Sequence, residues 1–143
     1  MTQSERGLLA QWFEQVWNQG RREAVAELLS PDSVIHEGSL DVRGPEGFYP
    51  FFDRIHGSFS AINVRIEDTL EDGDKVCVRW SFTGQHTGDG LGMAPTGKTV
   101  NTTGISIVRV AGGRLAEGWQ NWDMLGMLQQ VEGVQKSATY IGA

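Results

Sequence analysis

The amino-acid sequence predicts an α+β fold, in which helices pack on one face of a curved antiparallel sheet. Three observations indicate this class. Apolar residues recur at helical spacing up to His56, and from Ile62 onward they alternate with polar residues. The pair Asp72 and Gly73 is typical of a hairpin turn between two alternating segments. The length of 143 residues suits one domain.

The first part of the chain is predicted to hold two or three helices. A capping box precedes a long helix within residues 3–19, and a second short helix is expected at residues 22–29. Pro45 suits the first turn of a helix at residues 44–56. Because proline lacks a backbone N–H group, Pro50 is expected to delay or bend this helix.

Strands are predicted for most of the remaining chain, at residues 33–37, 62–66, 76–82, 98–110 and 115–122. A connection rich in glycine and proline at residues 88–97 joins the middle strands as a long hairpin loop. We expect the domain to occupy residues 1–131. The polar residues 132–143 are expected to form a loosely ordered tail.

Composition argues against several classes of protein. The net charge is −6 and no run of basic residues occurs, which argues against a nucleic-acid partner. Cys77 is the single cysteine, so no internal disulfide or cysteine cluster for zinc can form. The phosphate loop, the dinucleotide fingerprint and the nucleophile elbow are all missing from the sequence. No signal-peptide pattern or membrane-length apolar stretch occurs, so a cytoplasmic protein is expected.

Five tryptophans are many for a small core. Large aromatic side chains fill cores, and they also line apolar ligand pockets, so both interpretations stay open. If a pocket exists, we expect its wall to include a mainly apolar set of side chains. These are Trp17, Phe52, Trp80, Met93 and Trp119.

The last predicted strand ends beside a carboxylate, Asp123. Side chains alternate along a strand, so Trp119, Asn121 and Asp123 are predicted to share one face, with Asn121 as a further ligand contact. An apolar wall beside a lone acid raises the pKa of the carboxyl group and favours proton transfer. Asp123 also precedes an apolar run typical of a helix, where aspartate is a preferred N-cap. The pattern favours an acid/base role and a cap about equally.

Two histidines are candidates for the same pocket. His86 continues the alternation of Val76 and Trp80 on the face expected to meet the helices. It is either a core residue, a loop residue or an acid/base group with a pKa near neutrality. His36 ends a short strand and has similar alternatives. His56 lies at the end of a predicted helix, where a structural role is favoured by the helix dipole.

Several segments together resemble the SnoaL-like polyketide cyclase family, within the nuclear-transport-factor-2-like superfamily. The resemblance covers residues 12–130. It is carried by residues 44–47 (Gly-Pro-Glu-Gly), 71–76 (Glu-Asp-Gly-Asp-Lys-Val), 83–88 (Thr-Gly-Gln-His-Thr-Gly), 95–98 (Pro-Thr-Gly-Lys), 113–119 (Gly-Arg-Leu-Ala-Glu-Gly-Trp) and 123–130 (Asp-Met-Leu-Gly-Met-Leu-Gln-Gln). One departure is Phe59-Ser60-Ala61, where the family usually has Phe-Pro-Asp.

The resemblance implies a cone-shaped α+β barrel around an apolar pocket. It implies Asp123 as general acid/base, His86 in the same pocket, and chemistry without a metal or a cofactor. The expected reaction is an intramolecular aldol cyclisation or a related proton transfer on a small hydrophobic carbonyl compound. His86 would donate to the developing enolate oxygen or orient the acid. A non-catalytic protein that binds a small apolar ligand in the same cone is the alternative.

Members of the superfamily commonly dimerise through the outer face of the sheet. The strand predicted at residues 98–110 carries Val100, Ile105, Ile107 and Val108, more apolar side chains than one buried face needs. A homodimer is therefore expected.

Overall fold

Helices and one sheet make up the fold, and the computed structural model describes residues 5–132. The helical elements are α1 (Glu5–Gln11), continued by a π-helical segment (Trp12–Asn18), α2 (Ala24–Leu28), α3 (Gly44–His56) and α4 (Met124–Glu132). The strands are β1 (Leu29–Glu37), β2 (Leu40–Arg43), β3 (Phe59–Asp72), β4 (Lys75–His86), β5 (Thr99–Ala111) and β6 (Arg114–Trp122). The predicted α+β class is confirmed. Within residues 5–132, no helix is both long and apolar enough to cross a membrane.

The N-terminal helix supplies one wall of the interior. It matches the predicted residues 3–19 over its described part, but its hydrogen bonding changes from α to π type at Trp12. Segments of π-helix are rare and are often found at functional sites. The buried side chains along this helix are Leu8, Leu9, Trp12, Phe13, Val16 and Trp17.

Helix α3 lies where the sequence predicts it. Pro45 occupies the first turn, as expected. The helix is continuous through Pro50, which is exposed, so the predicted late start is wrong. Gly44 is buried at its start, and its buried side chains are Phe48, Phe52 and Ile55, which face the N-terminal helix and the sheet.

The sheet is curved and unclosed, with the strand order β2-β1-β6-β5-β4-β3. All neighbouring strands are antiparallel except β1 and β6, which are parallel. The sheet is therefore mixed, a correction to the purely antiparallel sheet expected. The reason is that the chain enters β1 from a helix and returns to it only through β6, after four intervening strands. This late pairing places the ends of β1 and β6 side by side.

The two faces of the sheet differ in burial. On β4, buried Val76, Val78 and Trp80 alternate with more exposed residues, as the sequence predicts. On β5, Ser106 is buried while Ile105 and Ile107 are exposed. We call the helix-covered face the inner face and the opposite one the outer face. The core lies between the inner face and the helices.

Three elements differ from the prediction. Strand β1 begins at Leu29, so the short helix expected at residues 22–29 ends early. Strand β2 was not predicted, because four residues at a sheet edge are too few for a periodic pattern. Helix α4 extends to Glu132, the first residue of the predicted tail, and the remainder of that tail lies outside the described residues.

Candidate functional site

A cleft opens between the N-terminal helix and the inner face of β1, β6 and β5. The cleft is narrow: its cavity volume is about 40 Å³, and the empty space reaches about 550 Å³ only when the gaps along the walls and the open solvent at the mouth are counted. Aromatic and aliphatic side chains make up most of its wall, which is typical of sites for small organic ligands. The lining residues are Leu9, Trp12, Phe13, Trp17, Leu29, Ile35, Glu37, Phe48, Ser106, Val108, Leu115, Glu117, Gly118, Trp119 and Gln120.

A line of hydrogen-bonded polar side chains crosses the sheet below this cleft. The indole Nε1 of Trp80 donates to Oγ of Ser106 at 3.0 Å. Ser106 Oγ donates to Oε1 of Gln120 at 3.3 Å. Gln120 Nε2 donates in turn to Oε2 of Glu37 at 2.9 Å. The line thus connects β4, β5, β6 and β1 and ends on a carboxyl group in the cleft.

Glu37 is the last residue of β1 and is partly buried. Burial raises the pKa of its carboxyl group, and the hydrogen bond from Gln120 opposes this effect. No described residue that lines the cleft carries a positive charge. A carboxyl group in such surroundings changes its protonation state closer to neutral pH than a free glutamate does, which suits proton transfer.

The other acid of the cleft, Glu117, is held in an ion-pair cluster. Its carboxylate is 2.8 Å from Nε2 of His36 and 3.3 Å from Nε of Arg109. His36 also contacts Asp41 through Nδ1, at 2.8 Å. Hydrogen bonds to these two carboxylates raise the pKa of His36, and the bond to Glu117 has the larger effect. In turn, His36 and Arg109 lower the pKa of Glu117.

The register of β1 and β6 explains why His36 and Glu37 take different positions. His36 is paired with Trp119, and Glu37 with Gln120, so the two pairs project from opposite faces. The rings of His36 and Trp119 stack with their centroids 5.4 Å apart. His36 therefore belongs to the outer cluster and not to the lining of the cleft, in contrast to its predicted position.

A second cleft adjoins the first. Its cavity volume is about 20 Å³, or about 320 Å³ with the open space counted. Both clefts are bordered by Phe13, Trp17 and Gln120. Its lining residues are Phe13, Trp17, Phe51, Ile55, Val64, Trp80, Phe82, Gln120 and Trp122. The structure therefore brings Trp17 and Trp80 to the clefts, as the pocket interpretation of the tryptophans expects. Trp119 borders the first cleft, but it is paired with His36 and its ring stacks on His36 on the outer face.

Two other predicted wall residues lie elsewhere. Phe52 is buried behind Trp17, with ring centroids 6.1 Å apart, and lines neither cleft. Met93 lies in the loop after β4 and packs against the core, again outside both linings. Their predicted contact with a ligand stays a prediction, and the geometry assigns both to packing.

Asp123 lies just beyond the end of β6 and is exposed. Its Oδ1 accepts a hydrogen bond from the backbone N–H of Gly126 at 2.9 Å, so Asp123 caps α4. Trp122 packs against Trp80, which places Gly118, Gln120 and Trp122 of β6 inside and Asn121 outside. The side chains of this strand alternate as predicted, but the side chains that point inward include Gln120 and not Asp123. The acid/base role of Asp123 stays a prediction.

His86 is fully buried at the end of β4. Its Nδ1 accepts from the backbone N–H of Thr96 at 3.2 Å, and its own N–H and C=O groups bond to Lys98 and Gly97. It thus fixes the loop of residues 87–98. The backbone N–H of Asp123 donates to the carbonyl oxygen of Thr103, which lies five residues after Lys98. Five residues of a strand span about 16 Å, so the backbone partners of His86 and Asp123 are that far apart. The structure therefore does not bring His86 and Asp123 together.

Glu37, Gln120 and Ser106 were not predicted from the sequence. One signal was available, because a glutamate directly after Ile35 and His36 at a strand end is unusual for a buried position. The sequence alone does not show which side chains of β6 point inward. Trp119 and Trp122 project from opposite faces of the strand, and both are aromatic.

Comparison with known proteins identifies the family. The family model described as SnoaL-like polyketide cyclase matches residues 7–131. The chain belongs to this family. This SnoaL-like protein is similar to aklanonic acid methyl ester cyclase DnrD of Streptomyces peucetius, with 28% identity over 125 residues that cover 82% of this chain and 83% of DnrD. It is also similar to aklanonic acid methyl ester cyclase AcmA of Streptomyces galilaeus, with 29% identity, covering 71% of this chain and 72% of AcmA.

Solved structures agree with the fold of this SnoaL-like protein. Wild-type IdmH from Streptomyces antibioticus superposes with a TM-score of 0.78 at 28% identity, covering 92% of this chain and 99% of IdmH. TsrD from Streptomyces laurentii superposes with a TM-score of 0.80 at 23% identity, covering 94% and 99% respectively, which bears on the fold alone. The family resemblance predicted from the sequence is confirmed.

Proposed function

We propose that this protein is a cyclase that performs acid/base chemistry without a cofactor on a small hydrophobic carbonyl compound. The observation that carries the proposal is the apolar cleft with one line of hydrogen-bonding side chains, Ser106, Gln120 and Glu37, at its sheet side. An apolar wall binds a fused-ring or chain hydrocarbon body, and the carboxyl group of Glu37, at the end of the polar line, contacts its polar atoms. The relatives named as cyclases support the same class of reaction.

The proposed reaction is an intramolecular aldol cyclisation or a related proton transfer. A carbon atom between two carbonyl groups is acidic enough for one positioned carboxyl group to deprotonate it. When the cleft holds the two reacting carbons of one molecule close together, the chain has already lost the conformational freedom that the reaction requires. The entropic part of the activation barrier is therefore lower than in water. The aromatic wall excludes water from the intermediate.

The substrate test uses aklanonic acid methyl ester, the compound in the names of two relatives, as the probe ester. We expect the purified protein to convert it to a product of equal mass with a changed chromophore, followed by chromatography and mass spectrometry. We also expect saturable quenching of tryptophan fluorescence and a rise in melting temperature, since Trp17 and Trp80 border the clefts. Binding without conversion would indicate the non-catalytic ligand-binding alternative. Neither binding nor conversion would contradict the proposed substrate class.

Substitution of Asp123 separates its two roles. Because asparagine caps a helix about as well as aspartate, we expect Asp123→Asn to keep both the free energy of unfolding and the turnover of the probe ester. We expect Asp123→Ala to lower the free energy of unfolding by about 0.5–2 kcal/mol, measured by urea denaturation. If Asp123→Asn folds normally and loses about 10²–10⁴ in rate, the acid/base role predicted from the sequence is correct.

We also propose that two copies associate through the outer face of the sheet. Ile105 and Ile107 are exposed there, on β5. The cytoplasmic location expected from the sequence likewise stays a prediction.

A further inference from the structure

We infer that Glu37 is the group that moves the proton in this cleft, acting through Oε1 while Gln120 holds Oε2. The inference rests on the proposed function, because it assigns a residue to the same site. Ser106 and Trp80 are positioning residues in this arrangement, since they act on Glu37 through Gln120 and not on the substrate.

The position of Glu37 is the first step of the argument. The carboxyl group borders a cleft whose wall is mainly apolar, and within the described residues its Oε1 has no hydrogen-bond partner. Glu117 is the other acid in the described lining, and its oxygens contact His36 and Arg109. Glu37 is therefore the acid with an oxygen free for a ligand. Burial also raises the pKa of Glu37, which favours proton exchange near neutral pH.

The direction of each hydrogen bond in the line is the second step. An indole N–H group can only donate, so Ser106 Oγ accepts from Trp80 and directs its single hydrogen to Gln120. This bond fixes the Gln120 amide with its oxygen toward Ser106 and its NH₂ group toward Glu37. Glu37 Oε2 must then accept. A proton on this carboxyl group therefore resides on Oε1, the oxygen free for a ligand.

The chemical step follows from this geometry. Oε1 takes the proton from a carbon between two carbonyl groups, and the C–H electron pair becomes that of an enolate. The enolate carbon forms a C–C bond to another carbonyl carbon of the same molecule, whose C=O π pair moves to oxygen as an alkoxide. Oε1 returns the proton to this alkoxide, which gives a hydroxyl group and restores the carboxylate. The product is an isomer of the substrate, so no further reactant is required.

The test compares Glu37→Gln with the wild type on two probes. Glutamine keeps the size and hydrogen bonding of the side chain and removes the exchangeable acid. The first probe is turnover of the probe ester, which we expect to fall by about 10²–10⁴ in Glu37→Gln. The second is exchange of the α-protons of β-tetralone in deuterium oxide, followed by proton NMR, which needs a base in the cleft but no particular substrate. Glu71→Gln, at an exposed glutamate of β3, is the matched control.

The two probes distinguish failure of the inference from failure of the proposed function. If the wild type exchanges β-tetralone protons in a Glu37-dependent manner but leaves the probe ester unchanged, the substrate is wrong and the role of Glu37 is supported. If the wild type converts the ester and Glu37→Gln does so at the same rate, the role of Glu37 is overturned. If neither probe reacts with the wild type, both proposals fail.

Ser106→Ala tests the positioning role. Without the hydroxyl group, the Gln120 amide can rotate and present its oxygen to Glu37, which stabilises the protonated carboxyl group. We expect the acidic limb of the kcat/KM profile to move to higher pH and kcat to fall, with KM nearly unchanged. Glu117, the other acid of the described lining, and its partners His36 and Arg109 are untouched by the substitution. An unchanged pH profile would contradict the positioning role, since loss of packing alone does not shift it.

Discussion

Replacing Gly104 by alanine is expected to lower the free energy of unfolding by about 3 kcal/mol, the upper part of the usual range for overpacking. Gly104 pairs with Trp80 across β5 and β4, and the indole lies directly over it. A Cβ atom at Gly104 would be 2.6 Å from Cε2 of Trp80. The ring cannot move away easily, because Phe13 and Trp122 pack against it with centroid distances of 6.1 and 6.2 Å.

Gly118→Ala is the matched control, since Gly118 is a buried glycine on the adjacent strand β6. Its Cβ would lie 3.8 Å from the backbone oxygen of Ile107 and 3.9 Å from Cγ1 of Ile35, and both are ordinary contacts. We expect Gly118→Ala to change stability by less than about 1 kcal/mol. Urea denaturation followed by circular dichroism measures both variants. Equal stabilities of the two variants would show that the indole has room to move.

The Gly104 variant should also disturb the candidate site. Displacement of the indole lengthens the bond from Trp80 Nε1 to Ser106, the first link of the line that ends on Glu37. The Trp80 side chain thus connects the need for glycine at position 104 with the orientation of Glu37. No sequence pattern contains this connection, because Gly104 is 24 residues from Trp80 and 67 from Glu37.

The features that the sequence predicts well are those with a local cause. The period of apolar residues locates the N-terminal helix, α3 and the long strands, because burial of one face imposes that period. The inward alternation through Val76, Val78 and His86 on β4 is likewise local, and the structure confirms it. The Asp-Gly turn between β3 and β4 follows from the backbone freedom of Gly73, whose φ is 62°.

The candidate site depends instead on a pairing that is distant in sequence. Glu37 and Gln120 meet because β1 pairs in parallel with β6, and 83 residues separate them. Parallel pairing over such a distance leaves no periodic signal in either strand. The sequence therefore drew attention to Asp123, where an acid follows two tryptophans, and missed Glu37, whose apolar surroundings come from other elements.

Trp17→Ala is expected to lower the free energy of unfolding by about 3–5 kcal/mol, the range for deleting a large buried aromatic side chain. Trp17 is 9% exposed and lies at the centre of an aromatic cluster. Its ring stacks on His56 with a centroid distance of 5.5 Å and meets Phe48 and Phe51 edge-on, each at 5.8 Å. Its removal deletes these contacts and leaves a space that the rigid sheet cannot fill.

Trp17→Phe is the conservative comparison, and we expect a smaller loss because a phenyl ring keeps part of the contact with Phe48 and His56. Trp17 also separates the two clefts, so Trp17→Ala should join them and enlarge the rise in melting temperature caused by an apolar ketone such as β-tetralone. Differential scanning calorimetry with and without the ketone measures both effects. A loss below about 1 kcal/mol for Trp17→Ala would instead mean that Trp17 borders open, solvent-filled space and contributes little packing, since deleting a well-packed aromatic ring costs several times more.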